Sequence, residues 1–136
     1  MEMIMIPSKP ERVFTKDAPK PVGPYSQAIR AGDFLFVAGQ VPFNPATNEM
    51  VTGSIAESAE QCMKNIKAIL NAAGASLLDI VRTTIYLTKI EDFGDVNEAY
   101  SHFFDLNPPA RTTIGVAALP AGAPIEIDVI AYSPKK

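Results

Sequence analysis

Asn107-Pro-Pro-Ala-Arg-Thr-Thr-Ile-Gly-Val-Ala-Ala-Leu-Pro120, followed by Ala123-Pro-Ile-Glu-Ile-Asp-Val-Ile-Ala131, is the stretch whose reading decides the fold. Two strands are written there. Pro108 and Pro109 end any helix before them, because proline lacks the amide hydrogen and disfavours helix in the preceding residue. Pro120, Gly122 and Pro124 punctuate the gap between the strands. The first strand opens on a charge, Arg111. In the second, alternation puts Ile125, Ile127, Val129 and Ala131 on one face and Glu126, Asp128, Ile130 and Tyr132 on the other. Glu126 is expected on an inward face, where a carboxylate needs a donor. A guanidinium and a carboxylate held on rigid elements in an apolar segment suit a small charged ligand.

Upstream, Ile80 to Ile90 reads as a strand with Val81, Thr83, Ile85 and Leu87 on one side. Asp92 is placed to cap a helix whose inward face is Phe93, Val96, Tyr100, Phe103 and Phe104, with Asn97 on its flank. A longer helix begins at Ser54-Ile-Ala-Glu57, which has the form of a capping box. Its stripe of Ile55, Ala59, Cys62, Met63, Ile66, Ile69, Leu70 and Ala73 recurs at three- and four-residue spacing, and Gly74 supplies the stop. Before it, Pro42 to Gly53 reads as a loop. Ser26–Ala31 and Phe34–Val41 read as strands joined by a Gly32-Asp33 turn, the second apolar on both faces. Asp17 to Pro24, with three prolines, is a rigid connector, and Arg12–Lys16 is a short edge strand. Residues 1–8 are expected as a loose tail.

The expected order is β-β-β-α-β-α-β-β over a single domain, residues 1–136: an α/β chain with a mixed sheet. Two helices cover only one face of such a sheet. The second face, carrying Ile130 and Tyr132, needs another cover, and the simplest is a further copy of the chain.

Composition narrows the function classes. A hydrophobic content of 47% with 20% charged residues is that of a globular protein. The net charge of −3 offers no basic footprint for nucleic acid. One cysteine and one histidine are too few for a structural zinc site, and a single cysteine allows no internal disulfide. No apolar run approaches the roughly 20 residues that span a bilayer. These features fit a reducing, intracellular compartment. Cys62 lies inside the long helix's apolar stripe and is expected to be an inert core thiol. His102 falls outside its helix's stripe and is expected at the surface.

Phosphate loops, paired metal-ligand motifs and the nucleophile elbow are absent. What remains is Arg111, Glu126, Tyr25, Asn97 and the Gly39-Gln40 backbone. A buried guanidinium requires an anion and matches a carboxylate bidentately. That anion is either Glu126, in a structural ion pair, or a ligand. Gly39 within an apolar strand marks a close approach to the backbone. Tyr25 offers a ring wall and a hydroxyl.

Gly23-Pro-Tyr-Ser-Gln-Ala28, Phe36-Val-Ala-Gly-Gln-Val-Pro42, Val96-Asn97, Pro109-Ala-Arg-Thr112, Leu119-Pro120 and Ile125-Glu-Ile127 together resemble the RidA/YjgF reactive-intermediate deaminase family. The likeness runs from about Thr15 to Ala131. It implies a chorismate-mutase-like α/β fold and a homotrimer with sites in the clefts between subunits. It implies hydrolysis of 2-imino and enamine acids such as 2-iminobutanoate and 2-iminopropanoate to 2-oxo acids and ammonia, protecting pyridoxal-phosphate enzymes. No cofactor or metal is implied, and the location is cytoplasmic or mitochondrial. By the same resemblance, Arg111 clamps the substrate carboxylate and Glu126 positions water. Tyr25, Phe93 and Asn97 line the pocket, while backbone near Gly39 and Thr113 meets the reacting end. Ala38 stands where the family often has serine, and Thr113 where cysteine is frequent, which bears on substrate preference. Two alternatives attach to such proteins: RNA cleavage with inhibition of translation, and chaperone-like binding. The acidic balance and the lack of interleaved basic and aromatic residues speak against the first.

Overall fold

In the computed structural model, which describes residues 9–135, the chain builds one six-stranded sheet and packs two helices on a single face of it. The strands are β1 (Glu11–Val13), β2 (Ala28–Ala31), β3 (Phe34–Gln40), β4 (Phe43–Asn44), β5 (Glu49–Met50), β6 (Ile80–Leu87), β7 (Ala110–Gly115) and β8 (Ile125–Tyr132). The helices are α1 (Ile55–Ala72) and α2 (Phe93–Ser101). Strand order in the large sheet is β1-β2-β3-β8-β6-β7. Every pairing is antiparallel except β6 with β7. The expected tail over residues 1–8 lies outside the described residues.

One hairpin is added to the expected order. The stretch read as a loop folds into β4 and β5, turning through Asn48 at φ +58°. Asn65 of α1 fastens it, donating to the Phe43 carbonyl at 2.8 Å. A two-stranded ribbon this short stands only when tied to something larger.

α1 is stopped as its sequence indicates. Gly74, at φ +79°, donates to the Asn71 carbonyl at 3.0 Å and Ala75 donates to that of Leu70 at 2.8 Å, the two bonds of a Schellman motif. At its start Ser54 accepts from the Glu57 amide at 3.1 Å, so one half of the expected capping box forms. Its stripe, with Cys62, Met63, Ile66, Ile69 and Leu70 fully buried, meets Leu35, Ile85, Ile127 and Val129 of the sheet. Burial pushes the Cys62 thiol far above its ordinary pKa, so it is packing and not a nucleophile. His102 is exposed, as expected.

Three expectations are corrected. Asp92 caps nothing, because Ile90–Asp92 already form a 3-10 turn and its backbone is not extended as a cap requires. Phe93 is not in the core but 42% exposed at the sheet edge. Val81 turns outward because a bulge between Ile80 and Arg82 shifts β6 against β8, so the buried set becomes Ile80, Thr83, Ile85 and Leu87.

Among the described residues no helix covers the second face of the sheet. Phe34, Phe36 and Tyr132 remain 41%, 46% and 46% exposed there, with their rings in mutual contact. No helix among the described residues is long and apolar enough to cross a membrane.

Candidate active site

Strand register determines where each charged group stands. Arg111 of β7 is paired with Thr83 of β6, which is fully buried under the helices. Its side chain is therefore on the helix-covered face, at the outer edge of the sheet. Glu126 of β8 is paired with Tyr86 and lies between the buried Ile125 and Ile127, so it points to the bare face. The expectation that Glu126 faces inward is corrected. Within one copy Arg111 and Glu126 are on opposite sides of the sheet and cannot form the structural ion pair that the residue types alone allowed. Among the described residues the single ion pair joins Lys135 to Glu11.

Arg111 lies over two rings of α2. Its guanidinium carbon is 5.5 Å from the centre of Phe93 and 5.1 Å from that of Tyr100. It borders a cavity of about 310 Å³ lined also by Asn97, Phe104 and Pro109. Asn97 Oδ1 and Thr113 Oγ1 are shut from solvent without a hydrogen-bond partner among the described residues. A buried polar atom left unpaired costs about 1–3 kcal/mol, so such atoms cluster where a ligand completes them. Thr113 follows Arg111 by two residues on the same face of β7.

Glu126 lines a second cavity of about 200 Å³ with Tyr25, Gly39, Lys20, Val22 and Ala121. An extra residue in β3 bulges the strand between Val37 and Gln40 and turns Gly39 toward β8. A Cβ at position 39 would come 2.7 Å from the Glu126 carboxyl carbon, so any larger residue there would push that side chain aside. Burial raises the pKa of the Glu126 carboxyl above its ordinary value, and the nearby Asp128 charge raises it further. Tyr86 donates to Asp128 at 3.0 Å, holding that carboxylate beside Glu126. Two residues in the left-handed region, Asn48 and Ala121, both line this cavity, each at φ +58°. Backbone strain in non-glycine residues costs on the order of 1–3 kcal/mol and gathers at functional sites.

The seven residues singled out from sequence thus form two groups. Arg111, Asn97, Phe93 and Thr113 are at the β7 edge, and Glu126, Tyr25 and Gly39 are on the bare side. Sequence reasoning missed Gln27, which is buried and holds the proline-rich connector. It accepts from the Thr15 amide at 2.7 Å and donates to the Pro19 carbonyl at 2.9 Å. It also treated Tyr100 only as core. The available signal was the seven-residue spacing of Phe93 and Tyr100, which puts both rings on one side of a helix.

A profile of the family described as Endoribonuclease L-PSP matches residues 15–133. The chain belongs to this RidA/YjgF/RutC family. A RutC family protein of Pyrococcus horikoshii is 52% identical over 122 residues, covering 90% of this chain and 97% of the relative. The human 2-iminobutanoate/2-iminopropanoate deaminase is 43% identical over 119 residues, covering 88% and 87%. Among solved Rid-family structures, that of Escherichia coli TdcF with bound serine superposes with a TM-score of 0.86 at 37% identity, covering 90% of this chain and 98% of that one. The mixed α/β fold with a mostly antiparallel sheet is the Rid-family fold.

Proposed function

We propose that this protein hydrolyses reactive 2-imino and enamine acids to 2-oxo acids and ammonia, at sites completed between copies of the chain in a homotrimer. The observation that carries this reading is the separation of Arg111 from Glu126. Neither has an ionic partner among the described residues, and they occupy opposite faces of one sheet. A neighbour's bare face laid against the β7 edge brings the two groups to one cleft, and it covers Phe34, Phe36 and Tyr132. The 43% identity to a deaminase of these substrates supports the chemistry.

Arg111 binds the substrate carboxylate through two parallel N–H donors, a contact worth about 1.5–3 kcal/mol. The imine carbon is already electrophilic. Glu126 takes a proton from water as its oxygen bonds to that carbon, giving a tetrahedral carbinolamine. The carboxyl returns that proton to nitrogen, then takes the hydroxyl proton as the C=O bond forms and passes it to nitrogen as the C–N bond breaks, so ammonia leaves with both of the water's hydrogens and Glu126 is restored. A raised pKa brings Glu126 closer to the pH at which it both accepts and donates. An enamine substrate is first protonated at C3. Tyr25 and Gly39 line the Glu126 side, Asn97 lines the Arg111 side, Phe93 lies against the guanidinium, and Thr113 shares its strand face.

The test generates 2-iminobutanoate in situ with a threonine dehydratase and measures ammonia release. Arg111→Ala and Glu126→Gln each abolish the rate while leaving the assembly's mass unchanged. Co-expressed in equal amounts, the two variants recover activity, because about a quarter of shared sites then hold both intact residues. No recovery on co-expression overturns the shared site, and no release by the unaltered protein overturns the deaminase reading. An RNase signal that persists in Arg111→Ala and disappears on purification is contamination.

A further inference from the structure

The Arg111 side chain holds no carboxylate and makes no hydrogen bond among the described residues, yet it is partly buried. A guanidinium in that position needs something to fix its direction. Two aromatic faces of α2 do so, and they are not equivalent. Phe93 is 42% exposed at the start of the helix, whereas Tyr100 is 5% exposed and packed against Phe104 with ring centres 4.9 Å apart. The Tyr100 hydroxyl is bonded to Thr83 Oγ1 at 2.8 Å, and Thr83 is the residue paired with Arg111 across β6 and β7. The loop of contacts is closed. Strand pairing fixes Thr83 against Arg111, Thr83 fixes the Tyr100 hydroxyl, and the Tyr100 ring lies under the guanidinium at 5.1 Å.

We propose that Tyr100 is a positioning residue for the carboxylate-binding site: its ring, packed against Phe104, holds the Arg111 guanidinium with its donors free for the ligand, while its hydroxyl's bond to Thr83 serves stability. This rests on the reading of Arg111 given above and adds the group that aims it. A ring face attracts a cation without consuming its N–H donors. A carboxylate in the same place would bind the guanidinium more strongly and compete with the substrate. Burial raises the Tyr100 phenol above its ordinary pKa, so the ring acts as a neutral π surface and not as a phenolate. The hydroxyl and the ring therefore have separable duties.

Three variants separate them. Tyr100→Phe keeps the ring and loses the bond to Thr83. Tyr100→Leu removes the ring, and Tyr100→Met removes it with a longer, more flexible side chain that reaches further into its space. For each, calorimetry reads the Kd of the non-reacting carboxylate 2-oxobutanoate, ammonia release reads KM and kcat, and melting reads stability. The position of the Arg111 Nε–H resonance in the free protein reports the ring directly. Tyr100→Phe is expected to melt lower yet bind within about twofold of the unaltered protein, because the π face remains. Tyr100→Leu and Tyr100→Met are expected to weaken Kd and KM about tenfold, to leave kcat within about twofold, and to move the Arg111 resonance. A Kd that follows the melting temperature across all three variants, or an Arg111 resonance unmoved by Tyr100→Met, overturns the proposal. Failure of the deaminase reading shows differently, as absent ammonia release by the unaltered protein, and the resonance still decides the ring's role.

Discussion

One sheet presents two faces that differ in completeness more than in hydrophobicity. The helix-covered face is finished within a single copy: Leu35, Ile85, Leu87, Ile125 and Ile127 are fully buried against α1 and α2. The other face carries Phe34, Phe36, Ile130 and Tyr132, with no helix of the described residues over them. Arg111 stands at the rim of the finished face and Glu126 on the unfinished one. A surface closed locally serves stability. A surface left open, with a carboxylate of raised pKa on it, has the features of a docking or ligand site.

That contrast can be broken by substitution, beginning with the largest effect. Glu126→Gln on the open face is expected to lower kcat for 2-iminobutanoate by about 10²–10⁴, as loss of a general base does. Ammonia release measures it, and an unchanged kcat would move the chemistry off the open face. Met63→Ala on the closed face is expected to cost about 2–5 kcal/mol, since it empties fully buried volume beneath the sheet. Urea unfolding reads this loss, and kcat per folded molecule stays close to that of the unaltered protein. Phe36→Asp places a charge on the open face. If the proposed assembly uses this face, the variant is expected to keep the circular dichroism of the protomer while lowering the mass seen by light scattering and, with it, the activity; an unchanged mass would place the interface elsewhere.

The smallest effect sharpens the contrast through pH. Because the folded protein raises the Glu126 pKa, it holds that proton more tightly than the unfolded chain does. Stability from this group is therefore present at low pH and falls as pH rises from its ordinary value of 4.5 through the higher native one. Glu126→Gln removes the fall. The variant should gain melting temperature relative to the unaltered protein as pH increases across that window, and a constant difference from pH 4 to 8 would contradict the sign. A variant that is more stable and inactive is the expected signature of a site residue held at a cost.

Much of this protein was legible from local pattern. The stripe of α1, its stop at Gly74, the Gly32-Asp33 turn and the alternation of β8 all appear where the residues place them. Gly39 was legible as a close approach, although only the bulge in β3 shows that the approaching group is Glu126. The errors have separate causes. Val81 was assigned from the period of its strand and displaced by a bulge, Asp92 was assigned as a cap and a 3-10 turn took that place, and Phe93 keeps its helix side but lies at the exposed start of α2. The β4–β5 hairpin was missed because its support is Asn65, a residue of a different element.

By itself the sequence determined which residues share a side within each strand and helix, because periodicity is a property of near neighbours. Tertiary structure alone decided that Arg111 and Glu126 stand on opposite faces, that Glu126 rests against Gly39, and that Phe93 and Tyr100 lie beneath Arg111. The physical reason is register. Alternation assigns sides only relative to one strand, whereas the side shared by two strands depends on how they pair, and a single added residue reverses it.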